Sequence, residues 1–252
     1  MNDFQKLISC LQQTTLPCSN YVQKIALIST SAPVLKDEDT GVWLEELAVP
    51  YYAFKEKGYD VVVISPAGGP IPIDKGSLSE PFFTAESKKF MHDADAVGAL
   101  CHSVKLDTLQ FPGDFDAMYM PGGHGACVDF INNPTLKAAI EDMYNAGKIV
   151  ATVCHGPICL CDCTMPDGTT PLVKGKTVTG FADSEEAAVA KVDLVPYLIE
   201  TRFKEQGANY EKADDWASKV CIDKSDDGKT LITGQNPASS TEAAKAVIAA
   251  LG

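Results

Sequence analysis

Apolar residues along the chain fall into two alternating patterns. Residues 25–29, 60–65, 115–120 and 148–153 form short runs that are nearly all apolar or β-branched, the signature of strands covered on both faces. Between them lie longer helix-like stretches: 42–57, ended by Gly58; 79–92; a segment capped by Asn133, with Pro134 at its first position and Gly147 just past its end; and 238–251. Shorter strands are expected at 177–181, around Cys221 and at 230–233, with a turn at 66–69, a surface loop over 163–176 and a hairpin over 223–229. Strand–helix alternation of this kind predicts an α/β fold, a doubly wound, mainly parallel sheet with helices on both faces. Ligands of such sheets bind beyond the C-terminal ends of the strands.

The first 23 residues read as a separate N-terminal arm. Phe4, Leu7, Ile8 and Leu11 recur at helical spacing there, the stripe of a packed arm or a docking helix. Residues 24–252 form the one α/β domain. Asp3 and the pair Gln12–Gln13 argue against a secretory leader, and no apolar run is long enough to span a bilayer.

Charge and cysteine content narrow the picture. A formal net charge of −13 disfavours nucleic acid and anionic membrane as partners. Nine scattered cysteines, an odd number, fit a reducing compartment and free thiols, hence a cytoplasmic location. The run Cys159, Cys161, Cys163 has no nearby histidine or second cysteine pair to complete a tetrahedral metal set, so it is read as packing residues and no metal is expected.

The strongest chemical signal is Val153-Cys154-His155-Gly156-Pro157. A buried strand runs into a cysteine, and Gly156 and Pro157 launch a helix. Such an elbow presents its nucleophile at the top of the sheet, where helix N–H groups and the helix dipole favour a thiolate. His155 is placed to act as acid or base beside the thiol. Pro121-Gly122-Gly123-His124-Gly125 follows the preceding strand, where consecutive N–H groups suit an oxyanion hole; Gly123 and His124 are its candidate substrate-binding residues. Glu46 sits four residues before Pro50, which removes the intrahelical partner of the Glu46 carbonyl. Glu185 and Glu186 open a helix after a strand end, either of them a carboxylate able to orient His155.

From about Lys24 onward these motifs, with Thr40-Gly41-Val42 and Thr233-Gly234-Gln235-Asn236-Pro237, resemble the ThiJ/PfpI superfamily, the class I glutamine amidotransferase-like fold, and within it the glyoxalase III and heat-shock chaperone branch. The resemblance implies a flavodoxin-like homodimer and a triad of Cys154, His155 and Glu186, with Glu185 as the fallback acid. It further implies a conserved acid at Glu46 and oxyanion donors on the backbone of Gly123 and His155. The implied activity needs no cofactor: methylglyoxal and related 2-oxoaldehydes, with water, give lactate and its analogues. A redox-responsive chaperone, or an amidase, peptidase or deglycase using the same cysteine, are the alternatives. The absence of any histidine after His155 departs from true amidotransferases, which use a downstream His-x-Glu.

Overall fold

The structure, a computed structural model, describes residues 21–252; the amphipathic stripe Phe4–Leu11 of the expected arm lies outside the described residues. Seven strands form the main sheet: β1 (Lys24–Ile28), β4 (Asp60–Ser65), β5 (Val104–Lys105), β6 (Ala117–Met120), β7 (Ile149–Val153), β10 (Val220–Lys224) and β11 (Thr230–Gly234). Their order is β10-β11-β7-β6-β1-β4-β5. Every neighbouring pair is parallel except β10 and β11, the hairpin expected around 223–229.

Two small sheets stand apart, pairing β2 (Val34–Leu35) with β3 (Glu38–Asp39), and β8 (Thr177–Val178) with β9 (Asn209–Tyr210). The strand expected at 177–181 is therefore a correction: it is two residues long and does not join the main sheet. Beyond Val178 the chain leaves strand geometry, with Thr179 N–H donating to the Thr233 hydroxyl at 2.9 Å.

Eight α-helices flank the sheets among the described residues: α1 (Leu44–Glu56), α2 (Ala85–His92), α3 (Ala94–Cys101), α4 (Ala126–Asp129), α5 (Pro134–Asn145), α6 (Asp183–Ala188), α7 (Ile199–Glu205) and α8 (Ser240–Leu251). Local chemistry sets several ends. The Asn133 side chain accepts from Leu136 N–H at 3.0 Å, Pro134 needs no partner at the first position, and Gly147 takes the left-handed φ of +72° after α5. The helix expected over 79–92 starts only at Ala85, because Thr84 caps it by accepting from Ser87 N–H. After Cys154 the expected helix is a 3₁₀ helix, Gly156–Asp162.

All five residues of β7 are buried, as are all four of β6. That burial makes the pair the centre of the core, and both strands end at the same edge.

Candidate active site

Residues from distant parts of the sequence converge beyond the C-terminal ends of β6, β7 and β11. At the tip of β7, Cys154 has φ +61°, a left-handed backbone that disfavours an L-residue by about 1–2 kcal/mol. Two neighbouring segments hold it there. Cys154 N–H donates to the Gly234 carbonyl at 2.9 Å, and the Cys154 carbonyl accepts from Phe181 N–H at 2.9 Å. The result is a sharp elbow that turns the side chain out of the sheet and into the site.

The glycine turn after β6 closes on this elbow because it has no side chains to keep it away. A Cβ on Gly122 would lie 2.5 Å from His155 N, and one on Gly123, whose φ is +95°, would lie 2.3 Å from the Gly41 carbonyl oxygen. Backbone N–H groups of Gly123 and His155 thereby reach the Cys154 sulfur, and both lower its pKa.

The ring of His155 spans the sulfur and a carboxylate. Its Nδ1 is 3.3 Å from Cys154 Sγ, and its Nε2 is 2.7 Å from Glu186 Oε2. All three residues are nearly sealed: Cys154 is 4% exposed, His155 1% and Glu186 3%. Burial opposes ionisation of Glu186, yet the charge of His155 and hydrogen bonds from His124 and His155 hold its carboxyl well below the usual range. An ionised Glu186 can only accept, so Nε2 of His155 donates to it and Nδ1 is the ring atom that faces the Cys154 sulfur.

Glu46 lies on the other side of the sulfur. It is fully buried, and its Oε2 accepts Gly122 N–H at 2.7 Å. Burial pushes its carboxyl up to about 8, although contacts with the Cys154 thiol and the Gly122 amide pull the other way. Burial likewise pushes the Cys154 thiol up, and an ionised Glu46 would add to that. A proton on Glu46 removes the repulsion and turns the carboxyl into a donor towards sulfur. Burial and the neighbouring Glu46 therefore act against the thiolate that the elbow's N–H groups favour, and His155 Nδ1 stands beside the sulfur as the base in contact.

The two candidate acids separate cleanly. Glu185 is also fully buried but faces away: its Oε1 accepts from Trp216 N–H (2.8 Å), Gln235 Nε2 (3.1 Å) and Asn236 Nδ2 (2.8 Å), and its Oε2 from Ala182 N–H (2.9 Å). It ties α6 to the end of β11, which accounts for the Gly234-Gln235-Asn236 motif. His124, expected among the oxyanion and substrate-binding residues, has its Nε2 2.7 Å from Glu186 Oε1. Phe181, to which the sequence assigns no role, has its ring over His155, centroids 4.3 Å apart, with Trp216 at 6.0 Å beyond it.

Among the described residues, His124, His155 and Glu186 are the one group of three metal-type ligands whose atoms lie within 4.8 Å of one another. Each carboxylate oxygen is closed on an imidazole at hydrogen-bond distance, so the cluster is a hydrogen-bonded one. Cys159, Cys161 and Cys163 are buried free thiols; Cys163 Sγ donates to the Cys159 carbonyl at 3.3 Å, and Cys159 packs against Met120 sulfur at 3.6 Å. A cleft of about 570 Å³ beside Leu109, Phe111 and Pro134, and another of about 490 Å³ beside Ser31, Val128 and Asp129, open elsewhere and are not lined by any triad residue. No helix among the described residues is long and apolar enough to cross a membrane.

Residues 39–250 match the DJ-1/PfpI family. Glyoxalase 3 of Candida albicans is 30% identical over 234 residues, 90% of this chain and 96% of that protein. Among solved structures, glyoxalase III of Candida albicans superposes with a TM-score of 0.80 at 29% identity, covering 91% of this chain and 98% of the other. Rapid Encystment Protein 24 KDa of Francisella tularensis superposes with a TM-score of 0.84 at 33% identity, covering 92% of this chain and all of the other, 100%. The chain belongs to the DJ-1/PfpI family, and its mainly parallel sheet is the flavodoxin-like fold of these neighbours.

Proposed function

We propose that this DJ-1/PfpI protein is a glutathione-independent glyoxalase, converting methylglyoxal and related 2-oxoaldehydes with water into 2-hydroxy acids. The observation that carries the reading is the unbroken line from Cys154 sulfur through His155 Nδ1 and Nε2 to Glu186, at 3.3 and 2.7 Å, in a chain most of whose length aligns with glyoxalase 3.

The chemistry follows from the protonation states. As Cys154 sulfur bonds to the aldehyde carbon, its proton passes to His155 Nδ1, and Glu186 supports the imidazolium. The new oxyanion is held by the N–H groups of Gly123 and His155 and takes a proton from His155, giving a hemithioacetal. Neutral again, His155 removes the hydrogen from the former aldehyde carbon, and the electron pair moves to the neighbouring ketone as an enediol. Return of that proton to the adjacent carbon leaves a thioester of the 2-hydroxy acid. Water cleaves the thioester, releases lactate from methylglyoxal and restores the thiol. The carbons exchange oxidation level internally, so no outside oxidant or reductant is required. Protonated Glu46 donates towards sulfur or substrate oxygen and keeps a second negative charge out of the site.

A small substrate suits a site this enclosed. The free thiols among the described residues fit a reducing compartment, and we place the enzyme in the cytoplasm. The family resemblance implies a homodimer, which light scattering of the purified chain reads directly. A redox-sensing role asks for an accessible thiolate, and the burial of Cys154 weighs against it.

The test is lactate formation from methylglyoxal by purified, metal-stripped protein without glutathione, with product chirality determined. Full turnover by Cys154→Ala would falsify the mechanism.

A further inference from the structure

We propose that His124 is a positioning residue for Glu186: its Nε2–H donates to the carboxylate oxygen that His155 leaves free, so two imidazoles grip one ionised carboxylate. The inference rests on the triad reading above and deepens it. Both contacts are 2.7 Å, and the two rings lie 4.0 Å apart at a 42° tilt. A carboxylate with a partner on only one oxygen turns freely about its terminal torsion. With a partner on each, its plane and its reach towards His155 are fixed.

Two further observations define what His124 does in the grip. First, it stays neutral. Burial and the neighbouring His155 push its pKa down to about 4, against the pull of Glu186. When His155 takes the proton of Cys154, a second imidazolium 4.0 Å away is strongly disfavoured, so His124 remains a plain N–H donor throughout the cycle. Second, its place is set by the glycine turn. Gly123, with φ +95°, and Gly125, whose Cβ would meet the Thr30 side chain at 2.7 Å, flank it and turn the ring towards α6 instead of the open site. The other titratable or charged groups around the grip are Cys154, Lys191 beyond α6 and Cys127 on α4.

The donor also sets the strength of the base. By drawing charge from Glu186, His124 moderates the support that Glu186 lends to the His155 imidazolium. Removing the N–H concentrates the negative charge on Glu186 and strengthens its hold on the proton that passes through the His155 ring. The acidic limb of the rate profile then moves to higher pH.

The experiment compares wild type, His124→Phe, which keeps ring volume without a donor, and His124→Gln, whose amide N–H can reach the same oxygen. Melting curves establish that each variant folds. His124→Phe is expected to lower kcat for methylglyoxal roughly tenfold to a hundredfold with a much smaller change in KM. Its acidic limb should move up, and His124→Gln should recover most of both. The pH dependence of Cys154 alkylation by iodoacetamide, followed by mass spectrometry at that residue, should show the same displacement without any turnover. Wild-type kcat and pH profile in His124→Phe overturn the proposal. So does an equal loss in both variants with an unmoved acidic limb, because ring packing would then be the cause. If wild type forms no lactate, the glyoxalase reading fails separately, and the alkylation profile still decides the role of His124.

Discussion

Glu185 and Glu186 are adjacent in the chain, yet their carboxylates serve separate networks. Glu186 meets the imidazoles of His124 and His155, whereas Glu185 accepts from the backbone N–H groups of Ala182 and Trp216 and from the side chains of Gln235 and Asn236. The first α6 turn points consecutive residues in different directions, and the elbow lies on only one side of it.

The two glutamates should therefore fail differently. Glu186→Gln keeps the volume and loses the charge that fixes the His155 tautomer; kcat is expected to fall by roughly 10²–10⁴-fold, with a small change in melting temperature. Glu185→Ala strands several buried donors at once, and each such group costs about 1–3 kcal/mol. A loss of at least about 3 kcal/mol, or roughly 6–12 °C in Tm, is expected, with residual activity in whatever remains folded. Kinetics and calorimetry on the pair would show it; a stable Glu185→Ala protein would mean the network is dispensable.

Glu46 makes the alkaline side of the profile predictable. Its carboxyl titrates at about 8 in the folded chain, against 4.5 for an unperturbed glutamate. Below 8 it is protonated, a donor beside the sulfur; above 8 it becomes a charge repelling a developing thiolate, so turnover should decline. Stability has the same sign. Between the unfolded and folded values the native state holds the extra proton, so its contribution is complete below about 4.5 and is lost as pH rises towards 8, each unit worth about 1.4 kcal/mol. Glu46→Gln removes this titration. The difference in stability between wild type and variant should slope over that window and flatten above it, and the alkaline fall in turnover should disappear.

Much of the site was readable from residue order, because the elbow and the glycine turn each carry their own local geometry. A cysteine between an apolar run and Gly156-Pro157 can form few other structures, and Asn133-Pro134 with Gly147 bounds α5 by capping chemistry alone. What escaped reading was set by distant contacts. Glu185 and Glu186 suit a helix start equally well, and only distant contacts sort them: Gln235 and Asn236 hold Glu185, while His124 and His155 hold Glu186. The apolar residues at 177–181 read as one strand, but Phe181 N–H is claimed by Cys154 and leaves the sheet. At the sulfur, too, a local and a distant influence oppose one another: the helix start favours a thiolate, and burial beside Glu46, brought in from α1, works against it.

Glycine at 123 and at 147 offers a controlled comparison. Both have left-handed backbones, at +95° and +72°, but a Cβ at 123 would lie 2.3 Å from the Gly41 carbonyl oxygen while one at 147 meets nothing within 4 Å. Gly147→Ala should cost about 1 kcal/mol, the backbone penalty alone. Gly123→Ala adds a collision with rigid backbone and displaces an N–H aimed at sulfur, so a loss of about 2–4 kcal/mol together with most of the activity is expected. Equal melting temperatures for the two variants would contradict the close approach of the turn to residue 41.

The strain at Cys154 can be read by removing the sulfur in two ways. Cys154→Ala and Cys154→Gly both delete Sγ, abolish turnover and relieve the contact with Glu46, so they differ only in the Cβ. At an ordinary strand or helix position glycine is the worse residue by about 0.5–1 kcal/mol. At φ +61° the order should invert, because alanine retains the steric penalty of about 1–2 kcal/mol and glycine does not. Cys154→Gly is expected to melt roughly 1–4 °C above Cys154→Ala, given a shift of about 2–4 °C per kcal/mol in a chain of this size. Denaturant unfolding of the two inactive variants measures the difference directly. A less stable glycine variant would mean that the elbow is held without strain, and that its shape is not sustained at the expense of stability by the hydrogen bonds from Cys154 to Gly234 and from Phe181 to Cys154.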